Sequence, residues 1–249
     1  MGPLVISATA FASVFAGALC GMYFRNTLSA DNRRNDVKDV IRLSTGLIGT
    51  IAALVLGLLI ASAKNSYDAR GAQFKQITAN VILLDLLLEQ YGSDARDLRA
   101  ALRAGLPSFI ERITDEGRNA KPAPFETTAA AQIFVGKIQE LKPNSDAQRL
   151  LQTRIVAATT DLAQSRLALF IQSHDSIPVP FLTILVFWLT IIFASFGLFV
   201  RPVPIVIVTF LVGALSVAGA LFLILEMDQP FAGMFRISTE PLRNALSPL

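Results

Sequence analysis

One cysteine, one histidine and a charged fraction of 16% are what this 249-residue chain has least of. Cys20 has no partner within the chain, so a disulfide framework is excluded. With His174 as the only histidine, zinc ligation of the usual nitrogen and sulfur type and Cys/His nucleophilic catalysis lack material. The chain also lacks a phosphate loop and a dinucleotide fingerprint. Carboxylate-only sites survive these exclusions, yet no catalytic constellation stands out, and the expectation is a non-enzyme with no cofactor and no bound metal. A net charge of +3 is too modest to imply nucleic acid; basic side chains at membrane edges explain it better. Proline is missing from Leu4 to Leu106, so a helix entering that interval can run on unbroken.

Apolar residues make up 53% of the chain, which places it outside the soluble globular class. The uncharged stretches Leu4 to Phe24, Leu43 to Ala63, Ile177 to Val200 and Val203 to Leu225 read as four membrane spans. The first is no secretory signal: it has no basic n-region, its apolar core is too long, and a second span follows at once. Leu43 to Ala63 is the clearest. Its 21 residues rise ~31 Å as a helix, enough for a bilayer core of ~30 Å. Thr45, Gly49, Ala53, Gly57 and Ala61 recur at every fourth position of it. That slowly rotating stripe of small residues is expected to make the closest helix contact in the membrane. Gly17 and Gly21 form a GxxxG pair in the first span, a pattern that serves helix packing as well as chance lipid exposure.

Between the second and third spans the periodicity changes character. Phe74, Ile77, Val81, Leu84, Leu88 and Tyr91 are spaced 3, 4, 3, 4, 3, and Leu151, Ile155, Ala158, Leu162, Ser165 and Leu169 are spaced 4, 3, 4, 3, 4. Both are a/d seams of helices packed on other helices. One follows the second span and the other precedes the third, so they are expected to pair in an antiparallel bundle. A third amphipathic helix carries Leu98, Leu102, Leu106, Phe109 and Ile113, with Arg96, Arg99 and Arg103 on its polar face. Glu116 to Thr127 is expected to be a loop, and Thr128 to Lys142 a short helix. The expected fold is therefore an all-α membrane protein with four transmembrane helices and a helical-bundle insertion between the second and third. Its parts are 1–63 (first hairpin, spans 4–24 and 43–63), 64–177 (bundle), 178–226 (second hairpin, spans 178–200 and 203–225) and 227–249 (polar tail).

Few residues invite a chemical role. Asp85 lies in the run VILLDLLLEQYG, and a buried carboxylate is costly unless paired, so an arginine partner from Arg96 to Arg103 is expected, with a proton or ion site as the alternative. Glu226 and Asp228 close the fourth span; they read either as solvated span-end charges or as the mouth of an ion pathway. His174 and Asp175 precede the third span, where capping, headgroup contact or pH sensing are all open. Trp188 reads as a packing residue. The connector from Arg25 to Arg42 holds Arg25, Arg33, Arg34, Lys38 and Arg42. That bias places it in the cytoplasm, with both termini and the bundle outside. Lys64, Arg70, Lys75, Arg166, Arg236 and Arg243 near the opposite side weaken the count.

The runs AALVLGLLIASAKNSYD, LDLLLEQYGSDARDLRAALR and LFLILEMDQPFAGMFRISTEPLRNAL, in that order, resemble a bacterial membrane-protein family with a bestrophin-like domain. The resemblance covers the chain from about Asp36 onward. It implies a distant similarity to bestrophins, oligomeric anion channels with four spans per subunit and a helical body continuous with them. The motif shared with bestrophins proper is an acidic residue at the end of the fourth span followed by a Pro-Phe-x-Gly turn, here Glu226, Pro230, Phe231 and Gly233. The dense acidic cluster that binds calcium in animal bestrophins is missing, so calcium gating is not implied. Bestrophins keep their body in the cytoplasm, against the charge bias above. The expectation is a multi-pass protein of a bacterial inner membrane, in contact with lipid, assembling as a homo-oligomer and passing inorganic ions. A non-conducting interaction or sensory protein acting through its bundle is the alternative.

Overall fold

A computed structural model describes residues 2–25, 35–118, 129–173, 179–231 and 233–245. Those residues are helical with turns, and no strand occurs among them. The helices are α1 (Pro3–Phe24), α2 (Asn35–Tyr91), α3 (Arg96–Arg118), α4 (Ala129–Gln139), α5 (Asp146–Ser173), α6 (Val179–Phe199), α7 (Pro204–Met227) and α8 (Glu240–Ala245). Four of them, α1, α2, α6 and α7, are long and apolar enough to cross a membrane. The chain is a membrane protein of the all-α class. It divides into two compact units, Met1–Asn65 with Ile177–Asp228, and Ser66–Ser176 with Gln229–Leu249.

α2 is a single helix of 57 residues, ~86 Å at the standard rise. Gly71 lies inside it without ending it. Its last residue, Tyr91, is followed by Gly92 at φ +107°, a backbone conformation that side chains with a Cβ rarely adopt. A 3₁₀ turn over Ser93–Ala95 then leads into α3. Ser93 bonds the Asp94 carboxylate at 3.2 Å, so it does not cap α3. α3 continues through Pro107 to Arg118, and the expected loop from Glu116 accordingly begins later. Ser145 does cap α5: its Oγ accepts from the Gln148 N–H at 3.2 Å, while the Gln148 side chain accepts from the Asn144 N–H at 2.8 Å. Pro204 occupies the first turn of α7, where a missing N–H costs nothing.

In the first unit, α1 packs against both α6 and α7. Its buried side is Ser7, Ala10, Val14, Gly17, Ala18, Gly21 and Met22, almost all small. The core around Ala10 gathers Ala52, Leu59 and Ala63 of α2, Leu182, Leu185 and Ile192 of α6, and Leu221, Ile224 and Leu225 of α7, with Trp188 packed against it. Leu43, Leu47, Leu54 and Leu58 remain exposed, as a lipid-facing surface requires. Cys20 is exposed on α1.

In the second unit, all six residues of the first seam are buried, from Phe74 to Tyr91. Phe74, Ile77 and Val81 share one core with Leu106, Ile110 and Leu169, whereas Leu84, Leu88 and Tyr91 share another with Leu98, Ile155 and Ala158. Low α2 numbers thus meet high α5 numbers, so α2 and α5 are antiparallel. Gln73 Nε2 to the Ser165 carbonyl, 3.1 Å, and Gln148 Nε2 to the Tyr91 carbonyl, 3.2 Å, tie the two ends of this pair. The segment after α7 does not behave as a polar tail. Leu242 of α8 is completely buried in the Phe74 core, and Phe231 and Ile237 pack on it. An apolar residue isolated among polar ones is enough to dock a short helix when the receiving core is already built.

Candidate functional site

Three groups of residues bear on function, two in the first unit and one in the second. The first is the close approach of α1 to α6. A Cβ on Gly17 would lie 2.8 Å from Thr190 Cγ2 and 2.9 Å from the Thr190 carbonyl oxygen. One on Gly21 would overlap the Ala194 carbonyl, and one on Gly197 would overlap the Ala18 carbonyl. Hydrogen atoms at these positions let the two backbones touch, so dispersion contacts replace the hydrophobic drive that lipid does not supply. Residue numbers rise together along both helices, so α1 and α6 are parallel. Gly197 is the partner that sequence reasoning missed, since nothing local marks a lone glycine in an apolar run.

The α2 stripe behaves differently. Thr45 is 5% exposed, and Gly49 faces Ile192 Cδ1 with 3.9 Å to its would-be Cβ. Ala53, Gly57 and Ala61 are exposed, and nothing comes within 4 Å of a Cβ on Gly57. Among the described residues, α1 therefore approaches α6 more closely than the glycines of the α2 stripe approach any neighbour. The four-residue repeat advances about 40° per step around a helix of 3.6 residues per turn. Its two ends consequently cannot face the same neighbour.

The second group closes α7. Glu226 is 5% exposed, in the last turn beside the buried Ile224 and Leu225. Asp228 is half-buried at the C-cap, its N–H bonded to the Ile224 carbonyl at 3.3 Å. Neither acid is without a partner. A carboxylate beside the negative end of a helix is opposed by the helix dipole. Glu226 is thus held there against two costs, burial and dipole. In the second unit, the turn that follows is fixed by the Ile237 N–H donating to the Pro230 carbonyl at 2.7 Å. Phe231 meets the Phe74 ring edge-on at 5.8 Å, and Gly233 adopts φ +87°.

The third group is an ion cluster on α2 and α3 of the second unit. Asp85 Oδ1 accepts from Arg99 Nε at 3.0 Å and Arg103 Nε at 2.9 Å; Oδ2 accepts from Nη2 of both at 2.9 Å. Arg99 also reaches Glu89 at 3.0 Å. Two guanidinium forks on one carboxylate is the geometry that best repays the desolvation of a buried charge. The Arg103 hydrogen bond lowers the Asp85 pKa from 3.8 to about 2 against the opposing effect of burial, with Arg99 adding to the depression. Arg99 and Arg103 are held above their ordinary values by the same carboxylate. Arg96 stays exposed and outside the cluster. Two of the three arginines on this face are thus engaged by carboxylates. Tyr91 lies nearby in sequence with its hydroxyl buried and without a hydrogen-bond partner among the described residues; burial raises its pKa.

No group of three or more His, Cys, Asp or Glu with metal-holding geometry occurs among the described residues. His174 and Asp175 lie outside the described residues. Comparison with curated proteins and with solved structures gives no match. A family model, the Bestrophin-like domain, matches residues 12–242.

Proposed function

The chain belongs to the Bestrophin-like family, and from that premise we propose that it is the subunit of an oligomeric ion channel of a bacterial inner membrane. The observation that carries this reading is Glu226, a carboxylate buried at the end of a membrane-crossing helix. Ionisable groups within membrane-crossing helices are rare and costly, and they mark ion and substrate paths. A single chain offers too few polar span residues to enclose a pore, so the path forms between copies. Ala53, Gly57 and Ala61 are small and uncovered, which suits them to receive a neighbouring subunit at close range.

Arg25, Arg33, Arg34, Lys38 and Arg42 favour the connector between the first two spans as the cytoplasmic side. An even number of spans then carries both termini and the second unit to the other face. Alkaline phosphatase and fluorescent-protein fusions at the C-terminus test this: phosphatase activity supports it, and fluorescence reverses it.

Native mass of the detergent-purified protein tests the assembly. More than one chain per particle is expected, and a stable monomer would sink the pore. The other reading, a non-conducting protein that signals through its second unit, draws on the extramembrane core built on α2. It predicts assembled particles with no conductance.

A further inference from the structure

A polar groove runs along the α2–α5 pair of the second unit, with a volume of about 310 Å³. Its floor is unusual for a helix pair: Asn80 and Ser165, each 7% exposed, sit between the apolar layers of the two seams. The hydrogen bonds there all run one way. Gln73 Nε2 donates to the Ser165 carbonyl (3.1 Å), Gln76 Nε2 to Asn80 Oδ1 (3.1 Å), and Asn80 Nδ2 to Ser165 Oγ (3.3 Å). Each amide nitrogen of these three side chains thereby donates one of its two hydrogens within the groove. The side-chain oxygens of Gln73 and Gln76 receive no bond from the described residues, and the Asp161 carboxylate at the rim has no ion pair among them. No lysine or arginine lines the groove.

The open capacity thus includes the Gln73 and Gln76 oxygens together with the second hydrogens of the carboxamides and the amide of Gln164, and the one charge lining the groove is the negative charge of Asp161. An anion would meet a carboxylate, and a neutral polyol would leave that charge uncompensated. A bare inorganic ion would occupy only a small part of a groove of this volume. An ammonium group supplies three donors and the matching charge, and a short methylene chain fits against Ala168. We propose that this groove binds a small organic cation bearing a primary ammonium group, with Asp161 neutralising it and the Gln73 and Gln76 carbonyls accepting its hydrogens. The proposal depends on neither the pore nor the oligomer.

Isothermal titration of the full-length protein in nanodiscs of zwitterionic lipid, with putrescine and with spermidine, tests it. Saturable binding of one amine per chain is expected. Asp161→Asn should weaken it on the order of tenfold or more, because the charge-assisted bond is lost. Gln76→Leu should weaken it several-fold, while Asp97→Asn on α3 should bind as the parent does. Asp161 and Gln76 are exposed, so unchanged helical content by circular dichroism identifies a folded variant. Absence of saturable amine binding would overturn the proposal. So would equal affinity in Asp161→Asn, or saturation by glycerol or potassium ion in place of the amines.

Discussion

The two units solve the same problem, holding helices together, with opposite materials. The first brings backbones into contact through Gly17, Gly21 and Gly197, leaving leucines such as Leu54 and Leu58 exposed. The second buries Phe74, Ile77, Leu84, Leu88 and Tyr91 and adds a carboxylate gripped by two arginines. With the first unit read as membrane-embedded and the second, as we propose, as water-exposed, the difference follows from solvent. Water rewards removing a large apolar side chain from its surface by about 1.5–3 kcal/mol, whereas lipid gives no such reward and leaves only packing and polar contacts. Asp85 can be placed in the interior of the second unit because Arg99 and Arg103 reach it from successive turns of α3.

The largest effect should come from filling the backbone contact. Gly21→Leu forces a side chain into the Ala194 carbonyl and should cost about 5 kcal/mol, beyond ordinary overpacking. Monodispersity in detergent and resistance to denaturant would report it, and near-parental stability would show that α1 does not need α6. The matching cut in the second unit is Leu84→Ala, at a residue with 0% exposure. It should cost about 2–5 kcal/mol by cavity formation, read from chemical denaturation.

The ion cluster comes next. The Asp85 pKa is lowered from 3.8 to about 2, so its contribution is fully present above pH 3.8 and is lost as pH falls through about 2. Near neutral pH that contribution is about 2 kcal/mol, since a tenfold change in proton affinity corresponds to about 1.4 kcal/mol. Asp85→Asn should remove the acid-limb dependence in this window and lower neutral-pH stability by a similar amount. The smallest effect belongs to Gly57→Ala, where nothing lies within 4 Å of the new methyl. The folded chain should change by less than about 0.5 kcal/mol. Gly57→Leu sharpens the contrast, for it should leave the chain folded yet reduce the native mass to that of a monomer. Parental assembly of that variant would mean the exposed end of the stripe faces lipid.

Much of this fold is legible in residue order, for reasons that differ by region. Span length and the 3, 4 seams depend only on local periodicity, and both appear in the chain as helices, with every residue of the first seam buried. Asp85 stands out because a carboxylate in an apolar run needs a partner. That Arg99 and Arg103 reach it and Arg96 does not depends on the Gly92 turn and the 3₁₀ segment after it, which no spacing rule encodes. The α2 stripe shows the limit of such rules most clearly. A four-residue repeat announces small residues, but its rotation divides them between Ile192 of the same chain and open space. Gly197 and Leu242 were hidden for a related reason: each works only through a partner far away in sequence. The carboxamide groove was equally silent, since Gln73, Gln76 and Asn80 look like solvated polar residues until Ser165 is placed beside them.

An ion path formed between copies of this chain and passing Glu226 should be visible electrically. Single-channel recording in planar bilayers, using purified protein whose native mass confirms assembly, reads it without intermediaries. Discrete conductance is expected in the parent, with an altered unitary conductance or ion preference in Glu226→Gln. Electrically silent bilayers containing intact oligomers would refute the channel.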